Sequence, residues 1–573
     1  MAQQAVTTEV DIAQNYNAAM QAFAKGDWEG CSTGLEQVIK MMVNEKQQGA
    51  LEGIYYTLGA AYFNMPNYPK AIEAFEKFTT KFGKSTKIWE VRLALAQAHR
   101  QNKGFDQAIK LYEALESVPL YREQALNAQV QIYQEQEKPL EAVRVLERIV
   151  GADIQTTVQA TAAMSLAQLL ANQNQPEKAV GWLQRLQMKT ALIENLVALN
   201  ALAVKLGDEF SEKKLYNQAI AAYRAVRSRE EVLKFQTERI AAMDRRIDAN
   251  LKAATGNPVL FAQMTQWNNQ IKAAQAEAKS LLEEFIKLPD FAASVLFRMA
   301  RCWYDSERKW EAIVVFDRIL ARHPKATERE SALYGMIVAY AEVSQPKRAQ
   351  ELCEVYLKEF PSGENAQTVG YLSGAVALQA QDLQGAESYF GTMLEKQPES
   401  SFREEMRFLL GNAKFMQGKH DEAQKEYAAY LKEYPQGQNV EEVRYRTALA
   451  DLFAGRFEVA LTGLNGYLGQ YPEGTMVADA KYRIAVCKYA AEQYDKVVAD
   501  CRAWLQQFTS HEQEGEVQAL LGDALAAQGE LAEAVPAYRR SYQVATTDEV
   551  LNYSLFEASK HLQKLGKWPE ISE

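Results

Sequence analysis

The sequence predicts an all-α fold, a solenoid of stacked helix–turn–helix repeats, and three residue series predict it. From Ala312 a small residue returns every 37 positions, at Ala349, Ala386, Ala423, Ala460, Val497 and Ala534, and Ile571 falls on the next tick. Proline keeps the same step at Pro324, Pro361, Pro398, Pro435 and Pro472, with Thr509 and Thr546 continuing it. Aromatic residues keep it at Phe297, Tyr334, Tyr371, Phe408, Tyr445 and Tyr482. Three residue types with three different jobs share one period, and a period in this range marks a stacked repeat. Each repeat of a solenoid packs only on its neighbours, so a chain of 573 residues need not divide into several globular domains.

One repeat, Leu51 to Gly83, shows the physics. Tyr55, Leu58, Gly59 and Tyr62 recur at helical spacing and stripe a first helix. Asn64-Met65-Pro66-Asn67 breaks it, and Ala71, Phe75 and Phe78 stripe a second. Gly59 and Ala71 are small where the two helices cross closely. The order of small and large residues resembles the tetratricopeptide repeat, with its W-x2-L-G-x2-Y … A-x3-F … P pattern, over nearly the whole chain. That resemblance implies a right-handed superhelix whose first helices line a concave groove.

The units are followed by the small residue of the second helix and the larger one four later. They read Cys31/Leu35, Ala71/Phe75, Ala108/Tyr112, Ala142/Leu146, Ala179/Leu183 and Ala219/Tyr223. After an insertion come Ala312/Phe316, Ala349/Cys353, Ala386/Phe390, Ala423/Tyr427, Ala460/Leu464, Val497/Cys501 and Ala534/Tyr538. Leu206-Gly207, Leu410-Gly411 and Leu521-Gly522 match the first-helix pattern, while Ser373-Gly374 and Thr447-Ala448 depart from it. The expected organisation is an N-terminal array over 1–227, an insertion over 228–285, a second array over 286–547 and a terminal segment over 548–573.

Between the arrays the ruler skips. Leu233, Ile240, Met243, Ile247 and Leu251 on a rising limb keep a spacing of three to four with few exceptions. Thr255-Gly256-Asn257-Pro258 turns the chain, and Leu260, Met264, Trp267, Ile271, Ala274, Ala278, Leu281 and Phe285 alternate steps of four and three on the return. A heptad seam on each limb predicts an antiparallel coiled-coil arm, of roughly 40 Å at 1.5 Å per residue. The bland reading is one unusually long repeat folded back on the body. As an arm it would serve as lever, spacer or contact for a homo-oligomer.

Asp548 to Leu565 reads as one more first helix, and Trp568 keeps the register of the turn positions Phe457, Tyr494 and Leu531. A solvating cap helix and a chain cut from a longer array both fit, and the retained tryptophan favours the second. The start, Met-Ala-Gln-Gln-Ala-Val, has no basic and apolar leader. The expectation is a removed signal and a cell-envelope location, with a cytoplasmic protein as the alternative.

The chain is 47% hydrophobic and 24% charged, with a formal net charge of −10. That balance disfavours nucleic acid as the main partner, and no apolar run reaches the length of a membrane span. The five cysteines, Cys31, Cys302, Cys353, Cys487 and Cys501, fall on inward helix positions and read as small buried hydrophobes, although Cys487 and Cys501 could approach each other. His99, His323, His420, His511 and His561 are scattered without metal-ligand spacing. No P-loop, dinucleotide turn, His-Glu-x-x-His or Gly-x-Ser-x-Gly occurs. Acidic pairs such as Glu404-Glu405 and Glu441-Glu442 open first helices, where carboxylates suit the dipole. The expectation is a protein without enzymatic activity, cofactor or metal.

The candidate partner-binding residues are the aromatic series, with Tyr56 as an earlier member, and the arginines beside it: Arg298, Arg407, Arg446 and Arg483. In the family resembled, the ring position faces the groove, and aromatic–arginine surfaces make binding hot spots. The bland alternative is that the rings pack between repeats and set curvature. The Lys/Asn pattern of chaperone-tail clamps is missing, so that activity is not carried over. The punctuation Glu359-Phe360-Pro361-Ser362-Gly363, Glu433-Tyr434-Pro435-Gln436-Gly437 and Gln470-Tyr471-Pro472-Glu473-Gly474 is similar to repeats of bacterial envelope proteins of the Tol-Pal coordinator and outer-membrane assembly lipoprotein types. No lipobox cysteine accompanies it. The reading is a scaffold presenting a groove to a protein or peptide partner. The alternatives are the regulatory portion of a larger enzyme or sensor, and a structural protein assembling through the arm.

Overall fold

The computed structural model describes residues 2–42 and 49–571, and the chain forms two units, Met1–Ser306 and Glu307–Glu573. Among the described residues 29 α-helices follow one another without a strand. In the second unit every helix from Lys309–Arg322 to Leu531–Val544 is 14 residues long, the structural form of the 37-residue ruler.

Small residues set the crossings. At Gly411 an added Cβ would sit 2.5 Å from the Tyr427 ring, and at Gly374 it would sit 2.4 Å from the Phe390 ring. Gly374 therefore makes the close crossing although Ser373 precedes it. At Ala448 the usual glycine is missing, and the facing helix compensates: Gly463 lies so close that its own Cβ would come within 2.9 Å of the Ala448 methyl. The turns repeat as faithfully. Glu307, Ser344, Gln381, Gly418, Gly455, Glu492, Gly529 and Gly566 all take a left-handed backbone, one per period, closing each first helix.

A hydrogen-bonded latch ties several repeats to the next, though Met393 takes the latch position in one repeat and makes no such bond. The buried Tyr430 hydroxyl donates to Glu404 Oε1 at 2.5 Å and accepts the Asn439 N–H at 3.0 Å, while Gln438 N–H reaches Glu404 at 2.8 Å. One period on, Tyr467 donates to Glu441 at 2.7 Å and accepts from Met476 N–H at 3.2 Å. Tyr356, Glu330 and Asn365 form the same set two periods before Tyr430. Further along, Trp504 gives its indole N–H to the Ala478 carbonyl at 2.7 Å, and Ser541 donates to the Gly515 carbonyl. The first glutamate of each acidic pair thus holds the inter-repeat loop, a role beyond the dipole.

The insertion is two helices, Arg229–Ala253 and Pro258–Lys287, whose packing is with each other. Ser228 and Asn257 cap them. Arg229 donates to the carbonyls of Ile286 and Leu288, and Arg239 to that of Glu194, which pins the base. The seam differs from the apolar stripe that the spacing predicts. Met264, Ala278 and Phe285 are buried, but Asn268 and Gln275 fill the places between, and Trp267 faces outward. Asn268 accepts from Asn250 at 2.8 Å, and Gln275 donates to the Asp244 carboxylate at 2.6 Å, so both amides find polar partners inside the seam.

The next helix, Ala292–Asp305, packs on Tyr216–Arg224 and Leu196–Glu212, the place of the following repeat. The first unit therefore runs to Ser306, beyond the expected array boundary at 286. The five cysteines are buried free thiols, Cys487 and Cys501 included. Burial pushes the Cys353 and Cys501 thiols up to about 12.

Candidate partner-binding face

In the Glu307–Glu573 unit, first helices of neighbouring repeats touch, as Ala366–Gln379 does with Arg403–Met416 and Val477–Ala490 with Glu514–Ala527. Within this unit, second helices of neighbouring repeats make no comparable packing among the described residues. The first helices accordingly form the inner layer of this unit, where the aromatic series lies.

Each ring occupies the sixth residue of its helix as the structure bounds it, from Phe297 in Ala292–Asp305 to Tyr482 in Val477–Ala490. Phe297, Tyr334, Tyr371 and Tyr482 are half-buried, and Phe408 and Tyr445 are buried. Tyr371 stacks on Phe402 with centroids 4.8 Å apart. Phe408 leans on Tyr430 and Tyr445 on Tyr467, the latch tyrosines, at 6.3 and 5.6 Å. Burial pushes Tyr482 up to about 12. Tyr56 in the first unit bonds Glu90 and lies under Lys87.

The arginines separate into two groups. Arg298 is held by Asp208 at 3.0 Å, which also takes the Tyr223 hydroxyl. Arg407 is clamped by Glu426 and Glu433 of the following second helix, away from the inner face. Arg446 and Arg483 lie on the inner stripe, each steadied by the carboxylate one turn earlier: Glu442 at 2.7 Å and Asp479 at 3.3 Å.

Sequence reasoning missed how these meet. The Arg483 guanidinium lies 5.9 Å from the Phe453 ring and 5.1 Å from that of Tyr482. Phe453 in turn packs on Phe415 at 5.7 Å and on His420. An aromatic–arginine chain therefore runs across three successive first helices, and Phe453 at its centre is 52% exposed, beside exposed Met416. A second missed feature is the column Glu405, Glu442, Asp479 and Glu516, one carboxylate per period three residues before the ring position. The 37-residue step was its signal. Glu405 accepts from Asn439 and Asp479 from Gln513, so the column also links neighbouring repeats. The stripe thus offers alternating charge around an apolar centre.

Among the described residues no cluster of His, Cys, Asp and Glu could hold a metal ion, and no helix is long and apolar enough to cross a membrane.

Family models described as tetratricopeptide repeat match residues 377–452, and 56–122 with 127–191. A model described as outer membrane lipoprotein matches residues 443–552. No curated protein sequence matches the chain. Among solved structures, a tetratricopeptide repeat protein from Parabacteroides merdae is 13% identical with a TM-score of 0.34, over 46% of this chain and 98% of that one. The C-terminal part of a repeat protein from Cytophaga hutchinsonii is 14% identical with a TM-score of 0.34, over 45% of this chain and 98% of that one. A structure of Naa15/Naa10 bound to HypK-THB is 13% identical with a TM-score of 0.33, over 98% of this chain and 97% of that one.

Proposed function

We propose that this chain, a tetratricopeptide-repeat protein, is a non-enzymatic scaffold that holds a protein or peptide partner on the inner face of its first helices, in a bacterial cell envelope. Protein–protein scaffolding is the general role of such repeats. The finer reading is carried by one observation: the chain Phe415–Phe453–Arg483–Tyr482, open at Phe453, spans three repeats. Rigid aromatic rings with arginine over them make anchor points at low entropic cost. The flanking carboxylates and Arg446 suit an extended partner with an apolar side chain at the centre and charges of both signs beside it. The envelope setting is supported by the outer membrane lipoprotein match over 443–552 and by the proline punctuation between repeats.

The test compares the chain with a variant carrying Arg446→Glu, Phe453→Ser and Arg483→Glu, both shown folded by circular dichroism, as baits on envelope fractions of the source organism. A partner retained by the native chain and released by the variant supports the inner face. A partner held equally by both removes the inner face from the account.

A further inference from the structure

We propose that the tip of the inserted hairpin is a docking surface for an anionic lipid bilayer. The inference goes beyond the scaffold reading and uses none of its residues.

The first observation is a mixed partition of side chains: the seam that buries Ile247, Met264, Ala278 and Phe285 buries amides too. Between the two long helices the seam buries Asn268 and Gln275, with Gln236 also fully buried on the rising limb. Apolar residues near the tip face out instead: Val259 is 71% exposed, Phe261 51% and Trp267 55%, with Leu251 beside them. Exposed apolar side chains of this size, grouped at one end of an element, mark a surface that something covers.

The second observation is charge. From 253 to 271 no residue is charged. Around that window stand Arg245, Arg246, Lys252 and Lys272, all exposed, and the only carboxylate from 245 to 272 is Asp248. Four cations less one anion give +3 at the tip of a chain whose net charge is −10. Among the described residues no hydrogen bond or ion pair holds these four cations, whereas Arg407, Arg446 and Arg483 are each fixed by carboxylates.

Together these match the chemistry of an interfacial anchor. Trp favours the level of lipid headgroups, and Trp, Phe and Leu are the side chains that interfacial helices bury at the headgroup–acyl boundary. Long basic side chains keep their stems on apolar surface and their charges in the headgroup layer. An anionic surface is diffuse and asks for no fixed acceptor geometry, which suits cations that nothing orients. The limbs would lie on or dip into the interface without spanning it.

The experiment floats the full chain with vesicles of phosphatidylcholine alone, and with vesicles carrying about 30% phosphatidylglycerol. The account expects binding to the anionic vesicles that exceeds binding to the neutral ones by about tenfold and that falls in high salt. Phe261→Ser with Trp267→Ser, and separately Arg245→Glu with Arg246→Glu, each lose it while circular dichroism is unchanged. Arg446→Glu with Arg483→Glu keeps it, which separates the tip from the inner face. Absence of anionic preference overturns the proposal, as does binding that survives both tip pairs. A change of oligomeric state in the tip variants, read by light scattering, also overturns it and makes the tip a contact between copies.

Discussion

Tyr467 shows how one residue serves two levels of the structure. Its ring supports Tyr445, and its hydroxyl ties Glu441 to the loop that opens the next repeat. Tyr467→Phe keeps the ring, strands the Met476 N–H and leaves Glu441 with the Thr475 N–H alone, so it is expected to cost about 1–2 kcal/mol in urea unfolding. Burial, and then the bond to the carboxylate, push Tyr430 and Tyr467 up to about 12. An unfolded tyrosine ionises near pH 10. The raised folded value means this stability is fully present below about pH 10 and is lost as pH rises toward about 12. Urea midpoints through that window should fall, and less steeply in Tyr467→Phe. Gly411→Ala is expected to destabilise by about 1–3 kcal/mol, because the added methyl meets the Tyr427 ring. The small crossing residues were legible in the sequence, since close approach excludes anything larger. The latch was not: its tyrosine and glutamate lie 26 residues apart on different helices, and a glutamate at a helix start already has a local explanation.

At the scale of elements, the helices and their pairing followed from the three series, and the insertion's limbs from their spacing. The contents of the seam did not follow. A heptad pattern counts apolar residues, and it placed Trp267 inside because it could not foresee Asn268 and Gln275 finding polar partners there. The structure supplies a prediction about independence. Arg229 and Ile286 meet at the base, and Ala292–Asp305 packs directly on the repeat before the insertion. Replacing residues 229–285 with a short Gly-Ser linker should therefore change the unfolding free energy of the repeats by less than about 1 kcal/mol. Loss of cooperative unfolding in the deleted chain would show that the limbs support the array.

For the whole molecule, each unit repeats one hairpin while the exposed chemistry varies along it. The regular aromatic ladder was legible in the sequence, and burial at Phe408 and Tyr445 makes those two rings part of the core. The exposed apolar side chains lie about two turns further along the same helices, at Met416 and Phe453. Its position emerged only when three repeats were stacked, because Arg483 and Phe453 belong to different ones. The most direct test of the scaffold account is site-specific photo-crosslinking in the source organism. A photoreactive phenylalanine replaces Phe453 or Met416 on first helices, or Val355 or Val459 on second helices, all four being exposed. The account predicts the same covalent partner from both first-helix positions and none from the second-helix ones. Adducts from Val355 and Val459 alone would place the partner on the opposite face and contradict it.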